Sequence, residues 1–457
     1  MAYDLIIHDA SVVFPDRVET MSLAVEGDRI VALEKDLSGG AKEILRASGK
    51  ILYPGVIDAH VHFNEPGRTH WEGFASGSGS LAAGGGTAFI DMPLNASPPT
   101  LDAASLAVKK AAAEKVSYTD YAFWGGLTPG NLDQMEGLAG GGVVGFKAFL
   151  SASGTDDFTA ADDGTLYAGM EEAARLGLPV AVHAENDRLT ALLADRARRA
   201  KQRSLRDFFA SRPLVAELEA IQRVLLFAGA TGCRLHIVHV SHPDGLALIA
   251  EARKNGVPVT CETCPHYLVL DRDQAVPIGA AAKCAPPLRE ATAKAGLWEH
   301  LWAGNIDWIA SDHSPAPPEL KEGEDYFQIW GGISGCQTTL PLLLQATGST
   351  LRQTLPALAE ATSWRVAQNF GFAGKGRLEV GAMADFVLLD PSASLPLRTG
   401  DLLYRHRISP FLGWPIHGKI EKTWVRGKLV WSDGALTGIR PGQFLPGVRR
   451  NTARKAT

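Results

Sequence analysis

The sequence predicts an α/β chain in which a (β/α)8 TIM-type barrel carries a small β-sandwich domain built from both chain ends. Two observations predict it. Eight short apolar runs recur between Val56 and Asp312, and helix-like segments fall between them, which is the pattern of parallel strands alternating with helices. Period-two, β-rich segments stand at one end of the chain and find a matching set at the other. The expected division is 1–53 and 380–445 for the two parts of the sandwich, 54–379 for the barrel, and 446–457 for a flexible basic tail.

Residues 3–13 and 22–34 alternate apolar and polar positions between polar turns and predict antiparallel strands. The barrel runs follow: Val56–Phe63, Thr87–Met92, Tyr118–Gly125, Val143–Leu150, Pro179–His183, Arg234–Val240, Pro258–Leu268 and Ile306–Asp312. Helices are expected at Leu101–Lys115, Gly164–Leu176, Leu214–Ala228, Gly245–Lys254 and Thr292–Trp302. Ala384–Leu389 and Lys422–Trp431 supply the returning sandwich strands. Gly84-Gly85-Gly86 precedes a strand rather than following one, so it predicts a turn and not a phosphate loop.

Composition narrows the function. With 46% hydrophobic and 21% charged residues over 457 positions, the chain has material for a large core, which excludes disordered and fibrous classes. Lys plus Arg number 45 against 50 Asp plus Glu, a formal charge of −5, so nothing draws the chain to nucleic acid or anionic membranes. The first residues lack a basic n-region, and no apolar stretch approaches roughly 18 residues, so a cytoplasmic protein is expected. Cys233, Cys261, Cys264, Cys284 and Cys336 are odd in number and scattered, which predicts reduced thiols. Cys261-Glu262-Thr263-Cys264 has no second pair at zinc-ribbon spacing, and its cysteines are read as small buried hydrophobes.

The chemistry gathers at the strand ends. In Asp58-Ala59-His60-Val61-His62, strand alternation puts both histidines on one face, where neutral imidazoles can chelate a transition metal. Lys147 lies among apolar neighbours near the end of the fourth run. Taken alone it fits a structural lysine; it also fits a neutral amine that adds carbon dioxide to become a carbamate bridging two ions. His183 ends the fifth run. His236 and His239 in the sixth differ by three, so only one can face inward; His239 is chosen because it shares a face with Leu235 and Ile237 and lies nearer the strand end. His242 is read as a loop residue. Asp312 ends the eighth run, where a carboxylate can complete a metal site and shuttle a proton. Barrel enzymes place catalytic groups at this end of their strands.

These motifs resemble the cyclic amidohydrolases of the amidohydrolase superfamily, a group that includes dihydroorotases, hydantoinases and allantoinases. The resemblance runs from Pro54-Gly55-Val56-Ile57-Asp58-Ala59-His60-Val61-His62 to Gly374-Lys375-Gly376-Arg377-Leu378-Glu379-Val380-Gly381. It implies two divalent ions, zinc expected, held by His60, His62, carbamylated Lys147 (N6-carboxylysine), His183, His239 and Asp312, with Asp312 catalytic in proton transfer to and from a shared hydroxide. Asn64 stands where dihydroorotases have an arginine for a substrate carboxylate, and Ala152 where hydantoinases have a substrate-binding tyrosine. The segments Asn64–Phe74, Asp91–Thr100 and Tyr404–Phe411 resemble the allantoinase branch. That branch implies a small cyclic ureide as substrate, Asn95 and Ser314 as its contacts, and a homo-oligomer, tetrameric by resemblance. His266, in Cys264-Pro265-His266-Tyr267, is a further rim candidate whose role, like that of Arg68, is left open. A broad-specificity hydantoinase or dihydropyrimidinase is the alternative, and a non-catalytic scaffold is disfavoured because all six ligands are present.

Overall fold

A computed structural model describes residues 3–450 of the chain. At the N-terminus stand β1 (Tyr3–Val13), β2 (Val18–Glu26), β3 (Arg29–Glu34), β4 (Ala41–Arg46) and β5 (Ile51–Pro54). The barrel takes β6 (Val56–Val61), β7 (Gly86–Asp91), β8 (Asp120–Phe123), β9 (Gly125–Gly126), β10 (Phe146–Phe149), β11 (Val180–His183), β12 (Leu235–Ile237), β13 (Val259–Thr263) and β14 (Trp308–Ile309). After it come β15 (Phe386–Pro396), β16 (Pro415–Val425), β17 (Lys428–Ser432) and β18 (Ala435–Leu436).

Parallel pairing runs β6-β7-β8 and β9-β10-β11-β12-β13-β14. Trp124 lies between β8 and β9, and its N–H bonds to the Asp91 carbonyl, so the two pieces act as one strand. A parallel bridge between Val61 and His313 closes the circle, giving the expected eight-stranded barrel. Alternation sorts the side chains: Ala88, Ile90, Trp124, Ala181, Val238, Trp308 and Ala310 pack together inside. Phe89, Phe146, Val180, Leu235 and Ile237 face the surrounding helices.

The helices form close to where periodicity puts them, at Ala103–Glu114, Asp163–Leu176, Leu214–Thr231, Pro243–Lys254 and Ala291–Trp302. Their ends carry local reasons. Asp102 and Ser105 form a capping box, Pro243 sits in the first turn, and Gly177 and Gly232 terminate helices with left-handed backbones. The run Pro258–Leu268 is not one strand: β13 stops at Thr263, and Pro265, which cannot donate to a ladder, opens the helix Pro265–Val269. Gly84 and Gly85 make the expected turn and Gly86 opens β7; Gly85 has φ +88°, and a Cβ on Gly84 would lie 2.4 Å from the Gln337 carbonyl oxygen.

The two chain ends join through β5, which pairs parallel to β1 and antiparallel to β15, making one nine-stranded hydrogen-bonded sheet. Leu5, Val12 and Leu23 from one end and Phe386, Leu388 and Trp424 from the other share its core. A buried charge cluster locks this domain to the barrel base: Lys375 Nζ contacts Asp120 at 2.6 Å and also Asp385, and Arg426 contacts Asp120 at 3.0 Å. Residues 443–450, partly assigned by sequence to a flexible tail, run back along the barrel. Leu445 N–H bonds to Tyr121, Gly447 to Gly142 and Arg450 to Gly177. The rest of that expected tail, 451–457, lies outside the described residues.

Candidate active site

A cleft at the C-terminal ends of the barrel strands is lined by His60, His62, Asn95, Ala152, His183, His239, Asp312, Ser314 and Trp330 among others. His60 Nε2 and His62 Nε2 lie 3.1 and 3.3 Å from Asp312 Oδ1. These three residues form a cluster able to hold a metal ion, with ligand atoms all within 4.8 Å of one another. Opposite them, His183 Nδ1 and His239 Nε2 are 3.0 Å apart, and the rings of His60 and His239 are 5.6 Å apart. The sequence therefore named side chains that do meet on one rim.

The backbone route to that rim differs from simple alternation. Pairing between β6 and β7 is interrupted between Asp58 and Val61, a stretch that contains His60, and His62 follows just beyond it. Asp58 takes no place in the cleft; its Oδ1 accepts from Ser311 N at 3.0 Å and ties the first barrel strand to the eighth. On β12 the inward residue is His236, because Leu235 and Ile237 face the helices. The face-sharing reason for choosing His239 is thus corrected: this residue reaches the cleft because its backbone leaves the strand at φ +40°. Asp312 and Asn95 are likewise left-handed, at φ +47° and +66°. Such conformations are costly for residues with a Cβ and concentrate at functional sites.

Two buried glutamates that sequence reasoning passed over orient the histidines. Glu262 Oε1 accepts from His60 Nδ1 at 2.5 Å, while its Oε2 lies 3.1 Å from His236 Nε2 and accepts from Trp308 Nε1 at 2.8 Å. Glu185 Oε2 lies 2.9 Å from His183 Nε2 and also pairs with Arg212. Each contact fixes which ring nitrogen turns to the cleft, as carboxylate partners of ligating histidines do. A charged residue inside an apolar strand was the available signal in the case of Glu262, the same one that exposed Lys147.

Electrostatics favour a bound cation. Burial opposes a charged imidazole at His60, yet Asp312 and Glu262 raise its pKa to about 9. Burial also opposes the Asp312 carboxylate, but His60 and His62 hold it well below the usual range. This point of the rim calls for positive charge, which a divalent ion on His60, His62 and Asp312 supplies. Lys147 is fully buried, its Nζ has no hydrogen-bond partner, and burial pushes it down to about 7 against the pull of Glu262 and Asp312. An orphaned amine of that kind fits a modified or metal-bridging role better than a structural one.

The remaining candidates separate cleanly. Asn95 Nδ2 is 3.3 Å from His62 Nδ1 and its Oδ1 is free, and Ser314 lines the cleft beside it. Ala152 also lines the cleft, whereas Asn64 turns its amide to the Pro315 carbonyl at 3.4 Å. His242 caps the helix Pro243–Lys254, accepting from Asp244 N at 3.1 Å. His266 is buried outside the cleft lining. Arg68 bonds the carbonyls of Asn95 and Ala96, both at 3.2 Å, and Asp157 at 2.9 Å, so it braces the loop that presents Asn95. All five cysteines are buried and free, and no described helix is long and apolar enough to cross a membrane.

Known proteins agree with this architecture. The chain is 54% identical to an allantoinase of Rubrobacter xylanophilus over 97% of its length and 98% of the relative. It is 47% identical to one of Deinococcus radiodurans, covering 97% and 99%. Among solved structures, the L-hydantoinase (dihydropyrimidinase) of Arthrobacter aurescens superposes with a TM-score of 0.93 at 35% identity, covering 97% of this chain and 100% of that one. The D-hydantoinase of Thermus sp. gives 0.90 at 27% identity, covering 98% and 100%. The amidohydrolase family pattern matches residues 51–430, a span that takes in β5, the whole barrel, β15, β16 and the start of β17. With the histidine–aspartate rim in the place such an enzyme needs it, the chain belongs to the amidohydrolase family.

Proposed function

We propose that the protein is an allantoinase: it hydrolyses a cyclic amide bond in the hydantoin ring of allantoin and releases allantoate. The near full-length identity of 41–54% to curated allantoinases carries this reading. The cleft supports it, since Ala152 leaves room for a ureido arm and no Lys or Arg is among the described residues lining the cleft to hold a substrate carboxylate.

His60, His62, Lys147 as its carbamate, His183, His239 and Asp312 would hold two divalent ions, zinc expected. When bound, such ions lower the pKa of a water to near neutrality and polarise a carbonyl. The protein's own groups do the rest. Asp312 takes the proton from the attacking water as the new C–O bond forms, and returns it to the ring nitrogen as the C–N bond breaks. Asn95 offers a free amide oxygen to the ring or ureido N–H groups, and Ser314 a hydroxyl. Glu262 and Glu185 keep His60 and His183 in the ligating tautomer. The same reading includes, by resemblance, a cytoplasmic homotetramer.

The test is turnover of a substrate panel by the metal-loaded protein together with its metal content. The kcat/KM for allantoin should exceed those for dihydroorotate and unsubstituted hydantoin by at least about 100-fold, roughly 2.7 kcal/mol of transition-state discrimination. Equal turnover of all three would leave a cyclic amidohydrolase of another specificity.

A further inference from the structure

A second cavity opens beside the catalytic cleft and shares Ala152, Ser153, Ala285, Trp330 and Gly331 with it. Three cations line it: Arg198, Arg212 and Lys283. Arg212 is matched by buried Glu185. The other two have no carboxylate within ion-pair distance among the described residues. Lys283 is only 4% exposed; its Nζ donates to the Ile329 carbonyl and lies 4.3 Å from the centre of the Phe208 ring. The Arg198 guanidinium lies 5.1 Å from the Phe327 ring. Asp187 is the one carboxylate lining this cavity among the described residues, and it accepts from the Ala152 N–H at 3.2 Å.

Gly331 forms part of the wall common to the two cavities. A Cβ built on it would meet Lys283 Cε at 3.7 Å and Nζ at 4.0 Å, so the ammonium stands directly behind that partition. A buried cation without an anion is costly, and burial beside Lys321 and Arg212 pushes Lys283 down to about 7. An anion in this annex removes that cost. Ring opening changes the ligand's charge in the matching sense: a neutral cyclic ureide enters, and a carboxylate leaves.

We propose that the annex lined by Arg198 and Lys283 is a carboxylate subsite that draws the ring-opened product away from the catalytic groups. The inference rests on the ring-opening reading above. It makes the cations irrelevant to recognition of the neutral ring and relevant to the anion formed from it.

The experiment compares the Kd of allantoate, by calorimetry, with the KM of allantoin for the full-length, metal-loaded protein and its variants. In Arg198→Gln the ratio of product Kd to substrate KM should rise about three- to fivefold, the upper part of what an exposed charge pair contributes. Arg198→Lys should bring the ratio back to within about twofold of the parent. Lys283→Met should raise it further; because that lysine also pins Ile329, the exposed Arg198 variants keep the test independent of folding. An unchanged ratio in both Arg198→Gln and Lys283→Met, with allantoin still opened by the parent, overturns the annex alone. No opening of allantoin by the parent overturns the ring-opening reading, and the annex with it.

Discussion

Glu262→Gln isolates the electrostatic support of the site, since it keeps the side-chain volume and removes one charge. Glu262 is 1% exposed and serves both sides: His60 through Oε1, His236 and Trp308 through Oε2. A glutamine has one acceptor oxygen and one NH2 group. If the oxygen stays with Trp308 and His236, the NH2 faces His60 Nδ1, which must then give up its hydrogen. The proton moves to Nε2, the nitrogen 3.1 Å from Asp312, and that nitrogen no longer has a lone pair for a metal. If the oxygen instead faces His60, the NH2 meets the Trp308 N–H, and two donors collide in a buried site. Outer contacts of this kind are worth about 10- to 100-fold in metal affinity, or roughly 1.4–2.7 kcal/mol. Chelator competition should show that loss, with turnover at limiting metal falling in parallel, while near-ultraviolet dichroism reports an intact fold. Metal affinity within about twofold of the parent would refute the tautomer argument.

Removal of the amine in Lys147→Ala should abolish metal binding and activity, and a short carboxylate such as acetate should restore part of both; parent-like metal content would contradict the carbamate. Asp312→Asn keeps an oxygen toward the histidines but no base, so kcat should fall by at least about 100-fold with some metal retained, as read by turnover beside metal analysis. Arg68→Ala removes the brace on the Asn95 and Ala96 carbonyls and should raise the KM for allantoin by about three- to tenfold, with Arg68→Lys recovering part of it. An unmoved KM would mean that the Asn95 loop holds its left-handed turn unaided. Chelation should lower the melting temperature, because ions that bind only the folded chain stabilise it by mass action.

Local pattern alone determined much of this protein. The eight apolar runs, their helices and the pairing of the two chain ends were legible because period is a property of neighbouring positions, and residue type picked out His60, His62, His183, His239 and Asp312 at the strand ends that line the cleft. What alternation could not supply was direction wherever a strand ends or bulges. His239 reaches the cleft through a left-handed turn, His236 takes the inward place, and Pro265 converts the end of an expected strand into a helix. Long-range partnership was equally beyond reach. Glu262 meets His60 across 202 positions of chain, Arg68 meets Asp157 across 89, and the cations of the annex converge from three separate segments. Only barrel closure brings such groups to one rim. The free energy that orders them comes from burying and pairing groups far apart in the chain, and that is a property of the tertiary structure.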